Sequence, residues 1–382
     1  MKLLIVTHNI SAGGAATACR RLIAAFKGQE IEVELLSVKE ETTPNVAVRI
    51  VRQVYCALLS RLDRQICKLL SNKSVHWQSS GLIGVFKARQ IRKLNPSALN
   101  VHWIGHATIS IRQLEKLEIP IVITMHDEWW LEEISHYSSH DQIEPKNRLA
   151  KIALSKIIRR KKNFLLRKNV QIICLSHEMK KKFEMFLPRQ HHKIHVVPNP
   201  VNSNQFYPIS SVERISPRLL FAGGASDPRK GFDLLEKILN QMSEPCLVFA
   251  PGLMRDMKYG VRQQIQMKAI SKVSSEQEMN KLYNQSDMCI VPSKQEALPQ
   301  VATESLMAGT PVASFEVGGL RDIVINGFNG IKVANFNTAR MAQELDQFLC
   351  SDAFNRSQIA ADAKLRFSEE NVVNAYLEII RQ

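Results

Sequence analysis

The stretch DMCIVPSKQEALPQVATESLMAGTPVASF, residues 287–315, contains a strand, a loop, a helix and a second strand in close succession. The apolar run CIV ends at Pro292, and the run PVASF begins about one helix length later. Pro299 suits the first turn of the helix between them. Two buried strands joined by a helix predict a βαβ unit, in which the two strands are parallel.

The same alternation occurs on both sides of KIHVVPNPVNSNQFYPISSVERISPR, residues 193–218, a stretch with four prolines that is typical of an interdomain linker. We therefore predict an α/β protein with two Rossmann-like, doubly wound parallel sheets. The expected domains are residues 1–195 and 196–364, followed by a C-terminal helix in residues 365–382. Two such domains that face each other form a cleft, and ligands of these sheets bind at the carboxyl ends of the strands.

The composition is that of an ordinary globular protein, with 382 residues, 45% hydrophobic and 23% charged. No run of 18 or more apolar residues is present, so no membrane-spanning helix is expected. The seven cysteines form no CxxC pair and are expected to be buried, reduced thiols, as in cytoplasmic proteins.

The formal net charge is +15, and it is concentrated in residues 146–182, which contain thirteen Lys and Arg and a single acid, Glu178. Apolar and cationic residues alternate there at nearly helical spacing. Such a helix can lie on an anionic membrane with its apolar face down. A solvated basic surface is the alternative, and no RNA-binding motif supports a nucleic-acid partner.

Two glycine-rich loops follow predicted strands. Gly13 and Gly14 precede an alanine-rich helix, and glycines at a helix N-terminus allow a close approach to phosphate or sugar. In FAGGASDPRKGF, Arg229 and Lys230 lie just before another helix and form a candidate site for a diphosphate. A tight turn and a solvated basic turn remain the alternatives for these two loops.

Two carboxylates lie in the stretch quoted first, Glu296 in the loop and Glu304 in the helix. An ionised carboxylate only accepts hydrogen bonds, and the vicinal diols of ribose and hexose present paired donors. The pair therefore suits two sugar rings with a diphosphate between them. Two ordinary surface glutamates remain the alternative.

The segment ITMHDEWW places His126 and Asp127 at the end of an apolar strand. A carboxylate next to a histidine is expected to raise its pKa and to orient its ring. Trp129 and Trp130 are candidates for a wall on which a sugar stacks, or for core residues.

Taken together, these motifs resemble the retaining GT-B glycosyltransferases of family four, and the match extends over nearly the whole chain. The most specific part is MAGTPVASFEVGGLRDIVINGFNGIKV, residues 307–333. HDEWW followed by HY is similar to enzymes of exopolysaccharide, O-antigen and colanic-acid assembly. The resemblance implies the GT-B fold, with two facing Rossmann-like domains, an interdomain cleft and a C-terminal helix packed back on the first domain.

The resemblance also implies a role for each candidate residue. Those with an expected catalytic role are His126, Glu296, Arg229 and Lys230. Those expected to bind the nucleotide-sugar donor are Gly13, Gly14, Arg229, Lys230, Glu296, Ala297, Leu298, Pro299 and Glu304. The weaker acceptor candidates are Asp127, Trp129 and Trp130. The family usually has an arginine where this chain has Ala225, and Arg229 is the candidate to replace it.

The expected reaction moves a hexose from a nucleoside-diphosphate sugar to a glycan acceptor, either free or lipid-linked, with retention of configuration. No Asp-x-Asp motif occurs in the chain, so we expect neither a metal nor another cofactor. The expected location is the cytoplasm, at the inner face of the cell membrane. The alternatives are a GT-B sugar-nucleotide epimerase and a non-catalytic basic protein that binds membranes or nucleic acid.

Overall fold

The computed structural model describes ten segments of the chain: residues 1–11, 13–29, 31–38, 46–72, 77–137, 143–210, 217–260, 263–273, 275–351 and 354–381. The chain divides into two compact units. The N-terminal unit comprises Met1–Val197 and Val373–Gln382, and the C-terminal unit comprises Pro198–Val372. The division after Val197 falls within the predicted linker, of which residues 211–216 lie outside the described residues.

The N-terminal unit is built on a six-stranded parallel sheet in the order β2-β1-β3-β4-β5-β6. Its strands are β1 Lys2–Thr7, β2 Glu32–Ser37, β3 Ala98–Val101, β4 Ile121–Met125, β5 Val170–Cys174 and β6 Ile194–Val196. The central strands β3 and β4 are buried along their whole length and mostly apolar, as in a sheet covered on both faces. The winding reverses between β1 and β3.

Helices cover this sheet: α1 Gly14–Lys27, α2 Val46–Leu70, α3 Ala88–Lys93, α4 Ile111–Leu114, α5 Arg148–Leu165 and α6 His177–Phe186. The longest, α2, has 25 residues and adds an element to those predicted from the apolar pattern. In the part of the chain that the structure describes, no helix is both long and apolar enough to cross a bilayer.

The C-terminal unit contains a seven-stranded sheet in the order β13-β12-β11-β7-β8-β10-β9. Its strands are β7 Arg218–Leu220, β8 Leu247–Pro251, β9 Met257–Tyr259, β10 Ile265–Ile270, β11 Met288–Val291, β12 Val312–Phe315 and β13 Gly330–Val333. The predicted sheet was entirely parallel, but the edge strand β9 pairs antiparallel with β10. A short connection suffices for an antiparallel pair, whereas a parallel pair needs a long crossover.

The helices of this unit are α7 Phe232–Gln241, α8 Glu276–Gln285, α9 Gln300–Met307, α10 Leu320–Ile323, α11 Thr338–Leu349 and α12 Arg356–Phe367. Apolar side chains of α7 and α11 are buried against the sheet strands in one continuous core. The winding reverses between β7 and β11, so the loops that follow these two strands lie side by side.

The expectation that residues 146–182 lie on a membrane with their apolar face down is wrong for the helix in this segment. The apolar side of α5 is buried in the core of the N-terminal unit, through Leu154, Ile157 and Phe164. Even Lys161 is buried, and its ammonium donates hydrogen bonds to the backbone oxygens of Trp129, at 2.6 Å, and Glu132. Helical periodicity identified the apolar face correctly, but the core covers it.

The last helix, α13 Glu369–Arg381, returns to the N-terminal unit. Tyr376 is fully buried there, and its ring meets Phe26 edge to face at 6.0 Å. Its hydroxyl lies 3.0 Å from Thr124 Oγ1 on β4. One side chain thus joins the end of the chain to α1 and to the central sheet.

We predict that Tyr376→Phe lowers the free energy of unfolding of the N-terminal unit by about 1 kcal/mol, because a buried hydrogen bond is lost while the ring stays. Urea denaturation of the full chain measures the change. The control is Tyr55→Phe, at a solvent-exposed tyrosine of the same unit. Equal stability of the two variants would contradict a role for the Thr124 contact.

Candidate active site

In the C-terminal unit, the loops after β7 and β11 meet at the reversal of the winding. The backbone N–H of Lys294 donates to the carbonyl oxygen of Arg229 at 2.7 Å, which ties the two loops together. Most of the sequence-predicted residues of this unit lie in these loops. The place agrees with the rule that ligands of such sheets bind at the carboxyl ends of strands, where the winding reverses.

Lys230 and Glu296 form the central contact of this place. The Lys230 ammonium lies 2.6 Å from Glu296 Oε1, and the Ser293 hydroxyl donates to the same oxygen at 2.9 Å. The side chain of Lys230 is 29% exposed and that of Glu296 is 9% exposed. The protein therefore holds a cation and a hydrogen-bond acceptor next to each other at an accessible strand end.

Arg229 is engaged differently from the prediction that both cations are available to an anion. Its guanidinium donates to Asp227 at 2.6 Å and 3.2 Å, and Asp227 also accepts a hydrogen bond from the Arg229 backbone N–H. Ala225 is exposed in the same loop. Arg229 is thus neutralised by Asp227 within its own loop. Lys230 is the cation that faces the predicted carboxylate, Glu296.

Glu304 lies on α9 and is buried. The hydroxyl of Tyr283 donates to Glu304 Oε2 at 3.0 Å. Pro299 caps the N-terminus of the helix, while Ala297 and Leu298 lead into it from Glu296. One carboxylate is thus held inside the helix layer, and the other lies in the loop before it.

The backbone of the Glu296 loop is supported by Gly318, which has a left-handed φ of 48°. A Cβ atom at this position would collide with the carbonyl oxygen of Glu296. Only a glycine permits so close an approach, so this residue fixes the position of the loop that carries the carboxylate.

In the N-terminal unit, His102 follows β3 and His126 follows the neighbouring β4. Asn100 determines the protonation of both rings. Its Nδ2 lies 3.1 Å from the Val122 carbonyl oxygen, which can only accept, so its Oδ1 must face His102 Nε2 at 2.7 Å. His102 therefore carries its proton on Nε2. Its Nδ1 accepts from His126 Nε2 at 2.8 Å, which leaves His126 Nδ1 without a proton and able to accept a hydrogen bond.

Burial lowers the pKa of His126 to about 4, and the opposing effect of the Asp127 charge is smaller. Burial, followed by the His126 charge, holds the pKa of His102 well below its usual range. Both rings are consequently neutral at neutral pH. The Asp127 charge does act to raise the pKa of His126, as expected, but burial outweighs it. The expectation that Asp127 orients the ring is wrong, because His102 is the group that orients it.

Asp127 is committed to the interior. It accepts from the Trp103 indole at 2.7 Å and contacts His136 Nδ1 at 2.6 Å, and its other oxygen accepts from the Trp129 backbone N–H. Burial alone would raise the pKa of Asp127, but the His136 charge and these hydrogen bonds outweigh it and hold the pKa below its usual value.

Trp129 and Trp130 do not form a wall for a sugar. Both side chains are buried, Trp129 under the Lys161 ammonium and Trp130 against Phe164. Together with the internal partners of Asp127, this corrects the expectation that these three residues recognise an acceptor. In the sequence, a tryptophan pair after a strand is equally compatible with a core and with a sugar-binding wall. In the structure, both rings belong to the core.

Gly13 caps the N-terminus of α1 with a φ of 94°, a conformation that favours glycine. A Cβ atom at Gly13 or Gly14 would meet no other atom within 4 Å. The first turn of α1 contains no acid, so a polar or anionic group can approach its N–H groups without repulsion.

A cavity of about 390 Å³ opens next to the end of β1. It is lined by His8 and His106 of the strand-end loops and by Gln53 and Ser60 of α2. The Trp77 ring stacks on His106 with their planes 2° apart. The winding of this sheet reverses here, between β1 and β3, so the cavity occupies the place where such sheets bind ligands.

The family model described as Glycosyltransferase Family 4 matches residues 12–205, about half of the chain. The chain belongs to glycosyltransferase family 4. A second model, described as Glycosyl transferases group 1, matches residues 216–351 in the C-terminal unit. The two matches together include nearly all of the elements described above.

This member of family 4 is 28% identical over 219 residues to D-inositol 3-phosphate glycosyltransferase of Xylanimonas cellulosilytica, a match that covers 50% of this chain and 51% of that protein. The chain spans about half the length of the curated relatives it matches.

Two solved structures share the fold over the whole chain. Sucrose-phosphate synthase from Thermosynechococcus elongatus has a TM-score of 0.70 at 15% identity, with 100% of this chain and 98% of that one covered. HepE of Anabaena, in complex with UDP-glucose, has a TM-score of 0.65 at 14% identity, with 100% and 99% covered. These likenesses establish the fold, which is GT-B.

In the glycosyltransferase, the structure adds partners that the sequence did not reveal. Ser293 binds Glu296, Tyr283 binds Glu304, and Asn100 and His102 orient His126. One signal was present for His102, because NVHW and ITMHD both place a histidine directly after an apolar strand. Nothing in the sequence marks Tyr283, which lies on α8, whereas Glu304 lies on α9.

We predict that Gly318→Ala destabilises the C-terminal unit by clearly more than Gly327→Ala. Both glycines have a left-handed φ, so both variants lose roughly 1–2 kcal/mol from backbone strain. Only the Gly318 variant adds a collision with Glu296, whereas a Cβ at Gly327 meets no atom within 4 Å. Urea denaturation compares the two, and equal losses would show that the loop does not depend on the contact.

We predict that the wild type loses more free energy of unfolding than His126→Gln does when the pH falls from about 7 to about 5. His126 binds a proton below about pH 6.5 when unfolded but stays neutral to about pH 4 when folded, so it makes the fold less stable as the pH falls between these values. Denaturation of both proteins between about pH 7 and about pH 5 measures the change. His192→Gln, at an exposed histidine, is the control. A difference independent of pH would contradict the burial of a neutral His126.

Proposed function

We propose that this chain transfers a hexose from a nucleoside-diphosphate sugar to a hydroxyl of a glycan acceptor, with retention of configuration at the transferred carbon. The donor binds to the C-terminal unit. The observation that carries the proposal is the contact of Lys230 with Glu296 and Ser293 at the strand ends where the winding reverses.

The ion pair supplies the two groups that a nucleotide sugar requires. The Lys230 ammonium is a mobile cation that neutralises the diphosphate, and Glu296 accepts hydrogen bonds from hydroxyls of the sugar. Each group holds the other in place until the donor enters. Glu304, oriented by Tyr283, accepts hydrogen bonds from the hydroxyls of the ribose.

In the reaction, the bond between the anomeric carbon and the diphosphate oxygen breaks, and a bond to the acceptor oxygen forms on the same face of the sugar. The departing phosphate receives the proton of the acceptor hydroxyl, so no protein base is needed. Lys230 stabilises the charge that develops on the leaving group, which is the main catalytic effect. The absence of an Asp-x-Asp motif supports a reaction without a metal.

The acceptor binds to the N-terminal unit. The cavity next to His106 has the size of a small-molecule site, and the stacked Trp77 offers a half-exposed aromatic face to a sugar. The unprotonated His126 Nδ1 accepts a hydrogen bond from a substrate hydroxyl. The resemblance of the HDEWW segment supports an acceptor of cell-surface polysaccharide assembly, carried on a lipid at the inner face of the membrane.

The test is release of nucleoside diphosphate from UDP-sugars and GDP-sugars in the presence of glycan acceptors. We predict that Lys230→Ala and Glu296→Gln each lower the release by about a hundredfold or more, because charge stabilisation and sugar binding are lost. Lys237→Ala, at an exposed lysine of α7, leaves it unchanged. Release in the presence of EDTA is expected to equal that in its absence.

Three outcomes would overturn parts of the proposal. If no sugar donor releases its nucleoside diphosphate, and the wild type and Lys230→Ala bind nucleotides equally weakly, the chain does not have the proposed transferase activity. Conversion of the sugar without transfer would indicate an epimerase. A product whose anomeric configuration is inverted, as measured by NMR, would exclude the retaining mechanism.

A further inference from the structure

The outward side of α2 carries a stripe of apolar side chains. The stripe consists of Val51, Val54, Tyr55, Leu58, Leu62 and Leu69, and these residues are between 44% and 68% exposed. Their spacing places them along one side of the helix over roughly 27 Å. In the part of the chain that the structure describes, nothing covers this α2 stripe.

The opposite side of α2 is anchored to the N-terminal unit at three buried residues. Cys56, Asp63 and Cys67 are buried. The Asp63 carboxylate accepts a hydrogen bond from the Ser80 backbone N–H at 3.2 Å, and Cys67 packs against Leu154 of α5. A contiguous exposed apolar surface on a helix that is anchored on its other side indicates an interaction site.

Cations accompany the stripe. Arg61, Arg64 and Lys68 are exposed along one flank of it, and Asp63, which is buried, is the only acid of the helix. The outward side of the neighbouring α5, opposite its buried face, exposes two apolar residues, Leu149 and Ile152. The exposed cations of α5 are Arg148, Lys151, Lys156 and Arg159, and residues 148–165 contain no acid.

We propose that the α2 stripe docks on an anionic lipid bilayer, with its apolar side chains in the interface and the flanking cations at the lipid headgroups. The charges favour this occupant. Two copies of the chain joined stripe to stripe would bring the cations of both α2 helices together, whereas an anionic bilayer attracts all of them at once. A helix with an exposed apolar side and a cationic flank lies in the plane of such a surface.

The same helix links this surface to the cavity of the N-terminal unit. Gln53 and Ser60 line the cavity, and they project from a different side of α2 than the stripe. A docked α2 therefore holds the cavity within a helix diameter of the lipid surface. This last consequence rests on the proposed function, since it places a lipid-linked acceptor close to its site, but the docking itself does not.

The test is co-sedimentation of the full chain with phosphatidylcholine vesicles that contain or lack phosphatidylglycerol, without nucleotide sugar. The wild type is expected to bind the anionic vesicles, and less so as the salt concentration rises. The variant V54Q/L58Q/L62Q is expected to bind at least about tenfold more weakly, because three apolar side chains no longer enter the interface. The variant R61Q/R64Q/K68Q is expected to bind anionic vesicles several-fold more weakly than the wild type, and its binding is expected to depend much less on salt.

The control is M185Q/M254Q/L365Q, which removes three apolar side chains from other parts of the surface that are even more exposed than those of the stripe. It is expected to bind as the wild type does. Circular dichroism and melting curves establish that every variant is folded, and hydrogen exchange of residues 46–70 is expected to slow on anionic vesicles.

Equal sedimentation of the wild type and the stripe variant would overturn the proposal, as would equal binding to neutral and anionic vesicles. A wild-type dimer that dissociates in V54Q/L58Q/L62Q, without vesicle binding, would show that a second copy covers the stripe instead. Because no sugar donor is present, failure of vesicle binding leaves nucleotide release as a separate result.

Discussion

All strands of a parallel sheet that point in one direction end at the same edge, and a reversal of the winding leaves two neighbouring loops at that edge without a crossover helix between them. This constraint determines where this family 4 protein can hold a ligand. In the C-terminal unit the reversal lies between β7 and β11, and the hydrogen bond from Lys294 to Arg229 joins their loops. Lys230 and Glu296, 66 residues apart in the chain, meet there as a consequence.

At the corresponding edge of the N-terminal unit, the polar side chains are buried. Charged rings would be costly in that position, so His102 and His126 stay neutral and satisfy each other's hydrogen bonds. Asn100, held by a backbone oxygen, gives the chain of hydrogen bonds its direction. The result is a hydrogen-bond acceptor atom on His126, after β4, that is set by Asn100 and His102 of the neighbouring strand β3 and its loop.

The helices α2 and α5 show that helical periodicity identifies an apolar side but not whether that side is buried or exposed. Both have an apolar side at helical spacing and several cations. The core covers the apolar side of α5, and even its Lys161 is buried, whereas α2 packs through Asp63 and two cysteines and turns an apolar stripe outward. The distribution of charge along the chain identified residues 146–182 as a basic region, but only the packing shows that the exposed apolar stripe lies on α2, outside that region.

The sequence by itself determined the fold class, most strand positions and the division into two units, because buried parallel strands are continuous apolar runs whose spacing is visible in the chain. It also placed Glu296 in a loop and Glu304 in a helix. Tertiary structure alone decided the partners: Glu296 pairs with Lys230, 66 residues away, and Trp129 is buried in the core. The physical reason is that local pattern records which side of an element is apolar or charged, while pairing and burial depend on residues distant in the chain.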